Sequence, residues 1–196
     1  MGEAEGAAPA ARRGFTVWLT GLSGAGKTTV GSLVAEALEG QGRLVERLDG
    51  DVVRRHLSQE LGFSARDRDL NVHRIGWVAA RLTRAGAAVV ASVISPHGAA
   101  RAEVRRLVEE WGPFVEVHVD APVEECARRD AKGLYARAFR GEIPDFTGVS
   151  APYEPPEAPE VRLRTTEETP EESARRVLEA LAARGLVPGA GTTIAP

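Results

Sequence analysis

An eight-residue stretch limits what this chain can fold into. Gly21-Leu22-Ser23-Gly24-Ala25-Gly26-Lys27-Thr28 fits G-x-x-x-x-G-K-[ST], a phosphate-binding loop pattern. The pattern has a mechanism only between a strand and a helix, and both flanks comply. Phe15 to Leu19 (FTVWL) is a short β-branched and aromatic run that reads as a buried strand. Thr29 to Leu38 has helical spacing, with Val30, Leu33, Val34, Ala37 and Leu38 on one face. The glycines let backbone N–H groups turn inward and approach a phosphate closely. The helix N-terminus adds its partial positive charge. Lys27 would reach the β- and γ-phosphates of a nucleoside triphosphate, and Thr28 would ligate Mg²⁺.

The chain as a whole is compatible with one such domain. Its 196 residues can enclose a single core. A net charge of −3 argues against a general binder of nucleic acid or membrane surfaces. Cys126 is the only cysteine, so no disulfide can form within the chain. The N-terminal MGEAEGAAPAARRG has no apolar segment of a secretion signal, and no apolar run approaches the roughly 20 residues of a membrane span. A cytoplasmic location is the expectation. Lys27 and Lys132 are the only lysines among 25 basic residues, so neither is readily dismissed as ordinary solvated charge. Asp49, Asp51, Asp67 and Asp69 cluster in a chain with seven aspartates against 21 glutamates.

In order, residues 1–13 read as a mobile tail. Strand one and the loop helix follow. Arg43 to Leu48 reads as strand two, ending at Asp49-Gly50-Asp51, and Val52 to Leu57 as a turn or two of helix. Residues 62–69 look turn-like, and Asn71 to Ala85 reads as a helix with Val72, Ile75, Ala79 and Leu82 inward. Ala87 to Ile94 is a continuous apolar run, as a buried parallel strand requires. Ser95-Pro96 is expected to open a helix to about Glu110. Phe114 to Val119 is the next strand, Pro122 to Arg129 a helix, and Val161 to Leu163 a last strand. Thr169-Pro170-Glu171-Glu172 is a capping box opening the final helix. Residues 130–160 lack periodicity, and a segment of that length is usually a functional loop. A lid at about 130–148, mobile because few apolar residues tie it down, is the expectation. The domain spans 14–185, with 186–196 a disordered tail.

Strands alternating with helices imply an α/β three-layer sandwich with a mainly parallel sheet, the P-loop nucleoside triphosphate hydrolase fold. Ligands in such sheets bind beyond the carboxyl ends of the strands. The phosphate loop, Asp49-Gly50-Asp51 and Ser95-Pro96 all fall there. No N-K-x-D guanine motif occurs, so a small kinase with a lid is favoured over a GTPase. Asp49 and Asp51 project to one side if strand two continues through Gly50. They could then divide a metal-side role and acceptance of the acceptor's hydroxyl proton. A tight Asp-Gly turn explains the same residues without function. Arg54, Arg66, Arg68 and Arg74 surround Phe63 and Asn71. Arginine forks suit phosphate or sulfate oxygens, although a solvated helix face would look alike.

These segments together closely resemble the adenylylsulfate kinase family. The matching pieces are GLSGAGKTT (21–29), LDGD followed by Arg54, LGFS (61–64), Asp67-Arg68 with Asn71, ISP (94–96), RD-x-KGLY (129–135), GEI with FTG (141–148) and APYEPPEAPE (151–160). The resemblance implies a homodimeric, Mg·ATP-dependent kinase of sulfate assimilation whose acceptor is adenosine 5′-phosphosulfate, with a separate ATP sulfurylase as a candidate partner. It implies ATP contacts at Gly21, Leu22, Ser23, Gly24, Ala25, Gly26, Lys27, Thr28 and Thr29. It implies acceptor contacts at Asp51, Arg54, Phe63, Arg68, Asn71, Ile94, Ser95, Lys132 and Phe146. Lys27, Asp49, Asp51 and Ser95 are the candidate catalytic residues, and Thr28 and Asp49 the candidate metal ligands. Ser95 matches a serine that the family labels a phosphoserine intermediate, but a site that already holds donor and acceptor together favours direct in-line transfer.

The chain departs from the family pattern at three positions. His73-Arg74 stands for a usual Arg-Arg, Trp77 for a glutamate, and Gly98 for a basic residue. The competing readings are a related kinase for another nucleotide 5′-anhydride and a non-catalytic nucleotide-binding regulator.

Overall fold

A computed structural model describes residues 13–130 and 132–188. The expected tail at 1–13 lies almost wholly outside them. The described elements run β1 (Phe15–Thr20), α1 (Lys27–Gly40), β2 (Val45–Asp49), α2 (Gly50–Leu57), α3 (Ala65–Arg84), β3 (Ala88–Ser92), α4 (Gly98–Glu109), β4 (Phe114–Asp120), α5 (Val123–Arg129), α6 (Leu134–Phe139), β5 (Val161–Arg164) and α7 (Pro170–Ala183). The five strands form one parallel sheet in the order β2-β3-β1-β4-β5. Val17 of β1 sits beside Val90 of β3 on one edge and Val115 of β4 on the other.

Strand alternation explains the layers. Val17 and Leu19 face a core completed by Val30, Val34 and Leu38 of α1 and by Val177, Leu178 and Leu181 of α7. Trp18 faces the opposite layer, with Val72, Ile75 and Ala79 of α3 and Val104 and Val108 of α4. The helices α3 and α4 approach so closely that a Cβ on Gly76 would lie 2.4 Å from Val104. The capping box at Thr169 is formed, with the Thr169 hydroxyl accepting from Glu172 N.

Several expectations need correction. β2 stops at Asp49 rather than continuing through Gly50, because the Asp49 carboxylate accepts from Asp51 N and Val52 N and so caps α2. The helix α3 starts at Ala65, six residues before the sequence pattern suggested. Ser64 caps it by accepting from Asp67 N, a short capping signal in a charged stretch. Ser95-Pro96 does not open α4. The helix begins at Gly98, whose N–H donates to the distant Glu154 carboxylate at 2.6 Å.

The segment 130–148 is better anchored than expected. It contains α6, whose Tyr135 is 1% exposed and packs edge-on against Phe146 at 5.0 Å. Asp130 caps α6 by accepting from Leu134 N at 2.8 Å and Ala136 N at 3.1 Å. Among the segment's described residues the longest mainly exposed run is 139–145. At the other end of the chain, Val187 is buried against the first core, so the ordered domain extends past the expected boundary at 185.

Candidate active site

The carboxyl ends of β1, β2 and β3 open onto a cleft of about 540 Å³. The phosphate loop forms its floor. Gly24 and Gly26 have φ of +76° and +106°, which a side chain would resist. A Cβ on Gly21 would lie 2.4 Å from the Val119 carbonyl oxygen. Leu22 and Ala25 are buried beneath the loop, so they offer it backbone and not surface. Lys27 Nζ donates to Gly21 O at 2.9 Å and Leu22 O at 2.7 Å. Burial pushes its pKa down to about 8, against partial compensation from Asp51 and Asp49.

Thr28 and Asp49 meet across the cleft. Thr28 Oγ1 donates to Asp49 Oδ2 at 2.9 Å, while Asp49 Oδ1 is occupied by the α2 backbone. One hydroxyl and one carboxylate oxygen therefore converge. Among the described residues no group of three or more His, Cys, Asp or Glu side chains could hold a metal. A two-donor set suits Mg²⁺, which keeps waters and takes further ligands from substrate phosphates.

Asp51, in the first turn of α2, faces the same cleft. Its carboxylate accepts from Lys132 Nζ, and that bond holds the Lys132 ammonium above its usual range. Helical capping brings Asp49 and Asp51 together, and the strand alternation expected from the sequence does not.

Arg54, one turn after Asp51, leads to a second group beside the cleft. Its guanidinium lies 4.3 Å from the Phe63 ring centroid and donates to Leu61 O at 2.7 Å and to Gly62 O. Arg68 approaches the same ring at 5.7 Å and donates to Phe63 O at 2.8 Å, Thr147 Oγ1 at 2.9 Å and Asp145 O. Phe63 itself is 59% exposed. Asn71 is buried, and its Oδ1 has no hydrogen-bond partner. A buried amide oxygen with no partner is costly unless a ligand supplies one.

Thus the structure brings Ser23, Gly24, Gly26, Lys27, Thr28, Thr29, Asp49, Asp51, Ile94 and Lys132 to one cleft. Arg54, Phe63, Arg68, Asn71 and Phe146 are not among its lining residues: Arg54 and Arg68 gather on the Phe63 ring, and Phe146 packs on the cleft-lining Tyr135. Ser95 is not brought there. It is 1% exposed, and its Oγ lies between Trp18 Nε1 at 3.1 Å and Thr20 Oγ1 at 3.0 Å.

The opposite wall was not anticipated. Arg129 closes it by donating to Thr165 O at 2.7 Å and to Thr165 Oγ1 at 3.1 Å, and Thr165 Oγ1 donates to Ala25 O at 2.9 Å. Glu168 and Pro170 complete that wall. The sequence offered a signal only for Arg129, the first residue of the RD-x-KGLY run at 129–135. The cleft therefore has two lobes about the phosphate loop, one beside β5 and one beside α2 and β3.

Comparison with known proteins points to one family. The family model for adenylylsulphate kinase matches residues 13–164. The chain is 56% identical over 176 residues to an adenylyl-sulfate kinase of Synechococcus sp. (strain JA-2-3B'a(2-13)), covering 90% of this chain and 99% of that protein. It is 51% identical over 176 residues to the adenylyl-sulfate kinase of Halothermothrix orenii, covering 90% and 94%. The fold is similar to that of the Mycobacterium tuberculosis APS kinase in complex with AMPPNP and APS, with a TM-score of 0.83 and 43% identity over 86% of this chain and 98% of that one.

Proposed function

The chain belongs to the adenylylsulphate kinase family, and from that premise we propose how its site works. It is an ATP-dependent adenylylsulfate kinase. It transfers the γ-phosphate of ATP to the 3′-hydroxyl of adenosine 5′-phosphosulfate, giving 3′-phosphoadenosine 5′-phosphosulfate and ADP. The observation that carries the site assignment is the convergence of Lys27, Thr28, Asp49 and Asp51 on one cleft.

Phosphoryl transfer asks the protein mainly for positioning and charge. The donor phosphates lie along the glycine loop, where backbone N–H groups and the N-terminus of α1 receive them. Lys27 exchanges the carbonyls of Gly21 and Leu22 for phosphate oxygens, and the anion restores the charge that burial disfavours. The Thr28 hydroxyl and the Asp49 carboxylate would hold Mg²⁺, which supplies neutralisation of phosphate charge when bound. The β5-side lobe, with Arg129 and Thr165, takes the donor nucleoside.

The acceptor occupies the lobe beside Asp51 and Ile94. Asp51 accepts the proton of the 3′-hydroxyl, and Lys132 on its carboxylate can turn toward the phosphates as the acceptor replaces it. Arg54 and Arg68 beside exposed Phe63 offer cations and a stacking ring to the adenylylsulfate, Phe146 contributes a second ring, and Asn71 offers its unpartnered oxygen. Both arginines now donate to backbone carbonyls, so acceptor binding exchanges those bonds for oxyanion contacts. The buried hydroxyl of Ser95 supports direct in-line transfer over a phosphoserine step.

The proposed catalytic unit begins at about residue 14, runs past 185 to include the core residue Val187, carries its lid, and works as a homodimer in the cytoplasm. Exposed Val52, Leu57 and Trp77 on α2 and α3 support a surface for a second subunit. No helix among the described residues is long and apolar enough to cross a membrane. A separate ATP sulfurylase would supply the acceptor. The test of the reading is an acceptor panel followed by ADP release. Adenylylsulfate should support turnover where AMP and adenosine do not, and equal turnover with AMP would contradict the acceptor assignment.

A further inference from the structure

Ser95 has φ +40°, one of two non-glycine residues with positive φ among the described residues. A residue with a Cβ keeps that conformation only where its surroundings over-determine it. A buried arginine does so here. Arg101 of α4 donates through Nη1 to Ser95 O at 2.7 Å, through Nη2 to Glu154 O at 2.7 Å and through Nε to Glu116 Oε1 at 2.9 Å. Arg101 is 4% exposed and Glu116 8%. The three bonds fasten the Ser95 turn to β4 and to the 152–155 strap. Glu154 closes the arrangement, since its N–H donates to Pro96 O at 2.9 Å and its carboxylate receives Gly98 N.

The other side of the turn is a directed hydroxyl chain. Trp18 Nε1 can only donate, so Ser95 Oγ accepts from it and donates to Thr20 Oγ1. Thr20 Oγ1 then donates to Ile94 O at 2.7 Å and accepts from Tyr153 OH at 3.0 Å. Thr20 immediately precedes the phosphate loop, and Ile94 lines the cleft. One network therefore sets the spacing between the root of the phosphate loop and the edge of the acceptor lobe.

We propose that Arg101 is a positioning residue for the acceptor, holding the Ser95 turn so that Ile94 and its neighbours present a fixed edge opposite Asp51. The proposal rests on the acceptor-lobe assignment made above. The donor lobe is braced separately by Arg129 and Thr165, so ATP binding should be little affected. Lysine cannot substitute, because one ammonium cannot match the planar fork that reaches all three acceptors.

The experiment compares Arg101→Lys with Glu116→Gln. Glu116→Gln weakens the buried ion pair but leaves the Arg101 bonds to Ser95 O and Glu154 O. Both variants should lose thermal stability. Arg101→Lys alone should raise KM for adenylylsulfate roughly tenfold, with kcat within about threefold and KM for ATP within about twofold of the parent. The Trp18 indole N–H resonance should move in Arg101→Lys and stay in Glu116→Gln. If Arg101→Lys does not fold, the double variant Arg101→Gln/Glu116→Gln removes both buried charges together and carries the same KM comparison. Equal increases in both KM values would overturn the proposal, as would an effect of Glu116→Gln on adenylylsulfate KM as large as that of Arg101→Lys. A parent enzyme that does not use adenylylsulfate would instead contradict the functional reading. The indole resonance, read without substrate, reports the Arg101 link in either case.

Discussion

Lys27 is a charge that the fold tolerates for the sake of a ligand. Burial holds its pKa at about 8 against 10.5 in the unfolded chain. That difference corresponds to about 3 kcal/mol of penalty on the ammonium form. Below pH 8 both states carry the proton, and the penalty stands in full. Between about 8 and 10.5 the unfolded chain binds more protons than the folded one, so stability rises with pH across that window. Lys27→Met removes the titration. The stability of the parent minus that of Lys27→Met should rise by about 3 kcal/mol from about pH 7.5 to 10.5. Urea titrations at the two pH values measure this, and taking the difference cancels the other titrating groups. A flat difference would show that Lys27 is hydrated in the folded protein and would refute the argument. The same titration should lower kcat/KM for ATP as pH rises through about 8, because the free enzyme loses the charge that meets the phosphates. Turnover by Lys27→Met should fall by a factor on the order of 10² or more.

The other predictions separate roles within the cleft. Asp51→Asn should cut kcat by a factor on the order of 10² while changing KM for adenylylsulfate much less, as expected of a group that accepts the hydroxyl proton; steady-state kinetics would show the reverse if Asp51 only bound the acceptor. Asp49→Asn should raise the Mg²⁺ concentration needed for half-maximal rate, yet leave urea stability within about 0.5 kcal/mol, since asparagine caps a helix nearly as well as aspartate. Hydrogen exchange should be fast at the exposed amides of 139–145 in the free protein and slow in the ternary complex with ADP, Mg²⁺ and adenylylsulfate, whereas Tyr135 and Thr147 should be protected in both. Uniformly slow exchange over 139–145 in the free protein would remove the lid from the account.

Much of this was legible in the chain because the phosphate loop ties three local signals together. The FTVWL run, the glycines and the helical spacing after Lys27 each constrain the next, and the parallel sheet follows from the alternation of elements. The capping events were harder to read. Asp49-Gly50-Asp51 suits a strand, a turn or a helix start equally well, and the choice is made by which backbone amides reach the Asp49 carboxylate. The start of α4 was hidden for a different reason, because its N-terminal N–H group is satisfied by Glu154, 56 residues away. The anchoring of 130–148 rests on Tyr135 and Phe146 meeting across eleven residues, a pairing with no periodicity to reveal it. Ser95 was legible as a family position, but its burial under Trp18 and Thr20 depends on β1 lying beside β3 in the sheet. The wall formed by Arg129 and Thr165 has the same origin, since β5 joins the sheet beside β4 only in the folded chain.

The central claim is direct transfer from ATP to adenylylsulfate, and one labelling experiment tests it. The enzyme is mixed with Mg²⁺, [γ-³²P]ATP and adenylylsulfate, quenched within a single turnover, and divided into nucleotide and protein fractions. Label should appear on the 3′-phosphate of the nucleotide product at the rate ATP is consumed, with none on the protein. Label on Ser95 that forms and then passes to adenylylsulfate would contradict direct transfer, and ATP consumed with no label in the 3′-phosphate would contradict the assigned reaction.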